Sequence, residues 1–290
     1  MNENQTYSLV EKVLFPPKYL NNKKLALTLK GKTVLITGAS YGIGEQLTYI
    51  LAQEAATLIL VGRTEDKLIK VKQKAEKTGV KVLVFSADLR NQTQLNELID
   101  ALENPSLKID IFINNAGKSI RRSIYNSLDR FHDFTRTMEV NYYAPLKISL
   151  ALIPKLAKNK GQIINVSSIA VLLLPYPRWS AYQASKSAFD TWFRSVTPEL
   201  RAKGIAMSTI YLPLVRTRMI APTEKYKGAP AMKPFHVAKI IGQLVNSRRS
   251  KWKPWWFIFP QIVTFLIQRP FEGYLNKRYT KKVENEEYDG

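Results

Sequence analysis

Tyr182 and Lys186 stand four residues apart in "AYQASKSAF" (181–189), surrounded by small side chains. On a helix, positions i and i+4 share a face, so a phenol and an ammonium become neighbours. A nearby cation favours the ionised form of a group whose unperturbed pKa is about 10, which could make Tyr182 an acid/base usable near neutral pH. The other reading is a half-buried helix with two long side chains at its edge. The pair alone does not choose between them, so the surrounding elements must.

Few other residues offer chemistry. There is no cysteine, and His132 and His236 are the only histidines, so a thiolate zinc site, a histidine metal centre and a Ser-His-Asp triad all lack material. No metal is expected. Thiol chemistry being absent, a reducing compartment is allowed. With 290 residues, 45% of them hydrophobic, the chain can bury a full core.

The elements that would position Tyr182 and Lys186 can be read from periodicity. "KTVLIT" is a β-branched run, "GASYGIG" a Gly-rich turn, and "EQLTYILAQEA" has helical apolar spacing. "TLILVG", a helix from Glu65 with Thr64 at its cap and Gly79 at its end, "VKVLVF", "QTQLNELIDAL" and "IDIFIN" continue the alternation. A long helix follows over 129–158, with Pro145 and Pro154 expected to bend it. "QIINVSS", the Tyr182 helix and "IAMSTIYLP" complete the series. Such alternation predicts an α/β fold, a Rossmann-type doubly wound parallel sheet in a single domain, with right-handed crossovers and helices on both faces. Ligands of such sheets gather at the carboxyl ends of the strands.

Gly38, Gly42 and Gly44 therefore fall where backbone can approach a pyrophosphate at a helix N-terminus, although a tight turn alone would also use them. The second strand ends "LVGRTEDK". Arg63, rather than an acidic residue, occupies the neighbourhood that reads the ribose 2′ position, which favours NADP(H) over NAD. Glu65 and Asp66 suit the first turn of the following helix.

In order, "TGASYGIG" (37–44), "ADL" (87–89), "NNAG" (114–117), Asn141 in "MEVNYY", "NVSS" (165–168), "YQASK" (182–186) and "PLVRT" (213–217) resemble the short-chain dehydrogenase/reductase family over roughly residues 30–220. The resemblance implies Tyr182 as proton donor, Lys186 as the cation that lowers its pKa and binds the nicotinamide ribose, Ser168 as the hydroxyl orienting the carbonyl, and Asn141 as holder of a relay water. It implies a cofactor site from Gly38, Ser40, Tyr41, Gly42, Ile43, Gly44, Arg63, Asp88, Leu89, Asn115, Ala116, Gly117, Val215 and Thr217, together with Tyr182 and Lys186. Asp88 would meet the adenine, Asn114–Gly117 the adenosine side and Thr217 the carboxamide. Two features depart from the family: the gap from Ser168 to Tyr182 is one residue longer than usual, and Pro213-Leu214 replaces the usual Pro-Gly.

The stretches "INNAGKSIRRSIYNSL" and "IYLPLVRTRMIAPTEKY" are similar to the long-chain fatty acyl-CoA reductase branch. That implies a lipid-like carbonyl substrate, with acyl-CoA to aldehyde as its most specific form. A 3-oxoacyl, aldehyde or steroid-type ketone reductase would use the same four catalytic residues. A non-catalytic NADP-sensing or membrane-surface protein is the reading from another class. Lys118, Arg121, Arg122, Arg216 and Arg218 would form a rim for a carrier's phosphates, or a solvated rim balanced by carboxylates such as Asp129 and Glu224.

The formal net charge of +21 attracts polyanions, yet the cations are scattered and no nucleic-acid motif accompanies them, so no nucleic acid is expected. Residues 1–30 read as an amphipathic lead-in, 31–247 as the catalytic domain and 248–290 as a basic extension. In that extension Trp252, Trp255 and Trp256 suit a pocket cover, a dimer contact or peripheral contact with anionic membrane. With no signal pattern and no apolar run of about 18 residues, the expected location is cytoplasmic, at most peripheral on a membrane surface. A homo-oligomer is expected from the family, and the tail after Lys282 is expected to fray.

Overall fold

Seven short strands make one all-parallel sheet in the computed structural model, which describes residues 6–54, 57–221, 223–266 and 268–284. The strands are β1 Thr33–Thr37, β2 Thr57–Gly62, β3 Lys81–Ser86, β4 Ile111–Asn114, β5 Gln162–Ser168, β6 Ala206–Leu212 and β7 Lys251–Trp252. Their spatial order is β3-β2-β1-β4-β5-β6-β7, and the change of direction at β1/β4 opens the crevice in which such sheets take ligands.

The strand period of two sends β1 side chains to opposite faces. Val34 and Ile36 join one apolar cluster with Leu25, Leu47, Leu68 and Ile241, and Leu35 joins the other with Leu98, Ile148, Leu152 and Phe189. Both faces are therefore covered, as a parallel sheet requires. The first layer holds α2 Asn22–Leu29, α3 Gly42–Ala52, α4 Glu65–Glu76 and α9 Pro234–Ser247, and the second holds α5 Gln92–Glu103, α7 Ala144–Lys158 and α8 Ser180–Ala202. Each fully buried Leu or Phe contributes roughly 1.5–3 kcal/mol.

The structure differs from the sequence reading at four places. The helix expected over 129–158 is α6 Phe131–Met138 and α7 joined by a π-helical turn, Glu139–Tyr143. The interruption thus precedes Pro145, which starts α7, while Pro154 lies within it. Thr64 occupies the N-cap position of α4, but its hydroxyl makes no capping bond. The sheet continues past residue 247: Lys251 and Trp252 pair with Thr209 and Ile210. The lead-in is also built into the body, with Phe15, Leu20, Leu25 and Leu29 in the core.

After β7 come α10 Ile258–Leu266 and α11 Gln268–Glu284. Among the described residues no helix is long and apolar enough to cross a membrane. Residues 285–290, most of the tail expected to fray, lie outside the described residues, as do residues 1–5 of the lead-in and Pro222 of "MIAPTEKY".

Candidate active site

The site is assembled at the carboxyl ends of β1, β2, β4, β5 and β6. Gly38 adopts φ +67°, and the Asn115 side chain, from the end of β4, donates to the carbonyls of Thr37 (3.0 Å) and Gly38 (3.1 Å). The Thr37 hydroxyl accepts from the N–H groups of Asn115 and Ala116, both at 3.1 Å. The two segments that the motifs placed together are thus tied by four hydrogen bonds, and the Gly-rich turn is held open at the α3 N-terminus, where backbone N–H groups favour an anion.

The residues present fit a phosphorylated dinucleotide. Ser40 Oγ is buried beside Gly62 and has no hydrogen-bond partner. A ligand oxygen would complete it. Arg63 stands exposed at the end of β2, Ile43 is half-buried at the start of α3, and Thr217 lies against Gly42. Asp88 is less free than expected: Arg90 binds both its carboxylate oxygens, at 2.9 and 3.1 Å through Nε. That bond, with Arg63 nearby, holds the Asp88 carboxyl below its ordinary range. Leu89 is a core side chain, so only its backbone can face a ligand, and Val215 is buried in a bridge to Met232.

Around the reacting centre, Ser168 stands close enough to the Tyr182 phenol to act on its titration, and its hydroxyl accepts from Ala170 N–H at 3.2 Å. Ser167 points to the other side of β5, where its hydroxyl is buried without a partner. Lys186, 8% exposed, donates to Val166 O at 3.2 Å. A Cβ on Gly117 would come within 3.3 Å of its Nζ and 3.4 Å of Asn141 Oδ1, so a side chain there would press on both groups.

Asn141, in the π-turn, gives both amide hydrogens away: to Lys118 O (2.8 Å) and Ser185 Oγ (2.9 Å), while its Oδ1 accepts from Lys118 N–H (2.9 Å). Pro145, four residues on, has no N–H to offer the Asn141 carbonyl. The Asn141 side-chain amide is committed to Lys118 and Ser185.

One electrostatic expectation is reversed. Burial pushes the Tyr182 phenol up, against which Ser168 acts, and burial pushes Lys186 down to about 8. A dry site disfavours the charged form of both partners.

The lengthened loop after Ser168 is stapled by Gln183, whose Nε2 donates to Ala170 O at 2.7 Å and whose Oε1 accepts from Tyr176 N–H at 3.2 Å. Its last residue, Trp179, meets Tyr182 edge-on with ring centroids 5.8 Å apart and stacks on Tyr226 at 6.1 Å. Gln183, Trp179 and Tyr226 carry no local sequence signal, since their partners belong to other segments.

The basic rim is divided. Arg122 pairs with buried Asp133 at 3.1 Å, Arg216 pairs with buried Glu11, and Arg218 lies over the Tyr41 ring at 4.1 Å. Lys118 and Arg121 keep no carboxylate partner among the described residues. The balancing carboxylates are thus Asp133 and Glu11, whereas Glu224 pairs with Lys227.

Glu11, 3% exposed, also accepts from Ala231 N–H (3.0 Å) and from Ser8 N–H (3.0 Å, through Oε2). Burial raises its pKa, but these bonds and Arg216 outweigh burial and hold it below the ordinary value. Ser8 and Glu11 form a capping box at the start of the Leu9–Leu14 helix, and the Glu11–Arg216 bond spans 205 residues. Glu11→Gln should cost about 3 kcal/mol at pH 7, because it strands Arg216. With a depressed native pKa, the stabilisation is full above the unfolded-state value and lost as pH falls through the native one. Denaturant titrations from pH 7 down to 3 should give the variant a flatter stability curve than the wild type.

Among the described residues no group of three or more His, Asp or Glu could hold a metal ion. The family model described as short chain dehydrogenase matches residues 32–228, from the first strand through the loop beyond β6. The chain is a short-chain dehydrogenase. This dehydrogenase is 44% identical over 235 residues to a fatty acyl-CoA reductase of Acinetobacter baylyi, covering 79% of each chain. It is 37% identical over 257 residues to a fatty acyl-CoA reductase of Mycobacterium tuberculosis, covering 83% of this chain and 85% of that one. A short-chain dehydrogenase/reductase of unknown function from Caenorhabditis elegans, solved with cofactor, superposes with a TM-score of 0.67 at 28% identity, covering 76% of this dehydrogenase and 89% of that chain.

Proposed function

We propose that this dehydrogenase is an NADPH-dependent reductase that converts long-chain fatty acyl-CoA to fatty aldehyde and free CoA. The observation carrying the substrate class is the pair of relatives named fatty acyl-CoA reductase, each matched over about four fifths of the chain. The catalytic class rests on Ser168 standing beside the Tyr182 phenol, with Lys186 one turn further along α8.

NADPH supplies the hydride accepted by the thioester carbonyl carbon. Ser168 and Tyr182 hold the carbonyl oxygen as it gains charge, and Tyr182 gives it a proton. The hemithioacetal so formed on the substrate then loses CoA as its thiol, leaving the aldehyde. Lys186, directed by Val166 O and beside Gly117, would bind the ribose and resupply Tyr182 with a proton drawn through a water held at Asn141. Trp179 and Tyr226 form an aromatic wall over Tyr182 for an apolar chain, and Lys118 and Arg121 are the rim cations left for the carrier's phosphates.

NADPH oxidation with palmitoyl-CoA, with hexadecanal identified by mass spectrometry, tests the reading. Turnover of ketones or 3-oxoacyl thioesters with none of saturated acyl-CoA would move it to the ketone-reductase alternative. For the cofactor, Arg63→Ala should raise KM for NADPH about tenfold or more, the worth of a charge-assisted phosphate contact, and leave KM for NADH unchanged. Homo-oligomerisation is a separate proposal that hydride transfer does not require.

A further inference from the structure

Two helices far apart in sequence leave apolar faces uncovered. In α1 Leu9–Leu14, Leu9 (80% exposed), Val10 and Val13 follow i, i+1, i+4 spacing and point away from the core. In the C-terminal segment, Trp255 (56% exposed), Ile258, Phe259 (60% exposed), Ile262 and Leu266 recur every three or four residues, which aligns them along one side of α10. Trp252 and Trp256 are half-buried, Trp252 by pairing in β7 and Trp256 by packing on the core, so only Trp255 of the three tryptophans faces outward.

The two faces meet. Trp255 Nε1 donates to Val13 O at 3.2 Å, and a cavity beneath the junction is lined by Leu14, Phe15 and Lys18 from the first segment and Trp252, Lys253 and Trp255 from the second. Contiguous exposed apolar surface of this kind marks an interaction site. Its charge surroundings select the partner: from Arg248 to Lys282 there are nine Lys and Arg residues against one carboxylate, Glu272, and Lys12 is exposed on α1. A second copy of this chain would set cation against cation. A lipid surface carrying anionic headgroups satisfies both the apolar faces and the positive flank.

We infer that α1 and α10, joined by Trp255, form one platform that docks on an anionic bilayer surface. The helix that follows the platform reaches toward the site. Phe271 of α11 stacks on Tyr176 (centroids 6.4 Å apart), in the loop whose last residue, Trp179, touches Tyr182. An apolar substrate dissolved in the bilayer would then enter beside its solvent, whichever carbonyl it carries.

The test is co-sedimentation of the full chain with vesicles of phosphatidylcholine alone or mixed with phosphatidylglycerol, across a salt series. NADPH titration serves as the folding control, and sedimentation velocity gives the oligomeric state. Binding to the anionic vesicles that weakens with salt, and that falls about tenfold or more in both Val13→Asp and Phe259→Asp while NADPH binding persists, is the expected result. Failure to bind anionic vesicles, or wild-type binding by either variant, would overturn the proposal. So would a variant that turns a dimer into a monomer without changing vesicle binding, which would make the face a contact between copies.

Discussion

Tyr182→Phe should lower turnover about 10²–10⁴-fold, the usual contribution of a positioned general acid, while NADPH binds as before. The substitution removes one oxygen from a ring held edge-on by Trp179 and leaves the packing intact. Its structural loss is confined to the phenol's approach to Ser168, whose hydroxyl keeps Ala170 N–H as a partner. Stopped-flow reduction of the best carbonyl substrate, beside a fluorescence titration with NADPH, separates the two effects. Wild-type turnover in the variant would remove Tyr182 from the reaction. The loss should be in kcat, because the phenol acts most strongly where charge develops on the carbonyl oxygen.

Gly44→Ala is the second large expectation. A Cβ at Gly44 would lie 2.2 Å from Gly38 O and 2.9 Å from Ala39 Cα, both backbone atoms that cannot step aside as a flexible side chain could. Overpacking of this kind costs about 1–3 kcal/mol. Here the relief must come from the turn that would carry the pyrophosphate, so NADPH affinity should fall about 10–100-fold. Gly273→Ala in α11, where a Cβ meets nothing within 4 Å, is the contrast. It should leave NADPH affinity unchanged and hold or slightly raise stability. Parallel titrations and thermal melts of the two variants measure both effects, and equal affinities would show that the approach of Gly44 to Gly38 does not shape the site.

Most of the fold and the position of the site were legible because their signals are local. A strand, a glycine turn and a helix N-terminus follow one another within Thr33–Ala52, and Tyr182 with Lys186 needs only the pitch of α8. The alternation of such units accounts for β1 to β6, whereas β7 was not read from the sequence. What was illegible has partners far away in the chain. Glu11 meets Arg216, Tyr226 stacks on Trp179, and Trp255 reaches Val13 across 242 residues. No window of sequence contains both ends of those contacts.

The sequence by itself determined the order of the candidate site residues and the parallel α/β frame, since propensity, period and turn requirements act over a few residues. The tertiary structure alone decided how those residues behave. Burial raises the Tyr182 phenol and brings Lys186 to about 8, the inverse of what the pair suggests in isolation. It also decided which rim cations are already paired and that α1 and α10 share one exposed surface. Desolvation and long-range pairing depend on what the folded chain places around a group, and the energy of a charge is set by its surroundings more than by its neighbours in sequence.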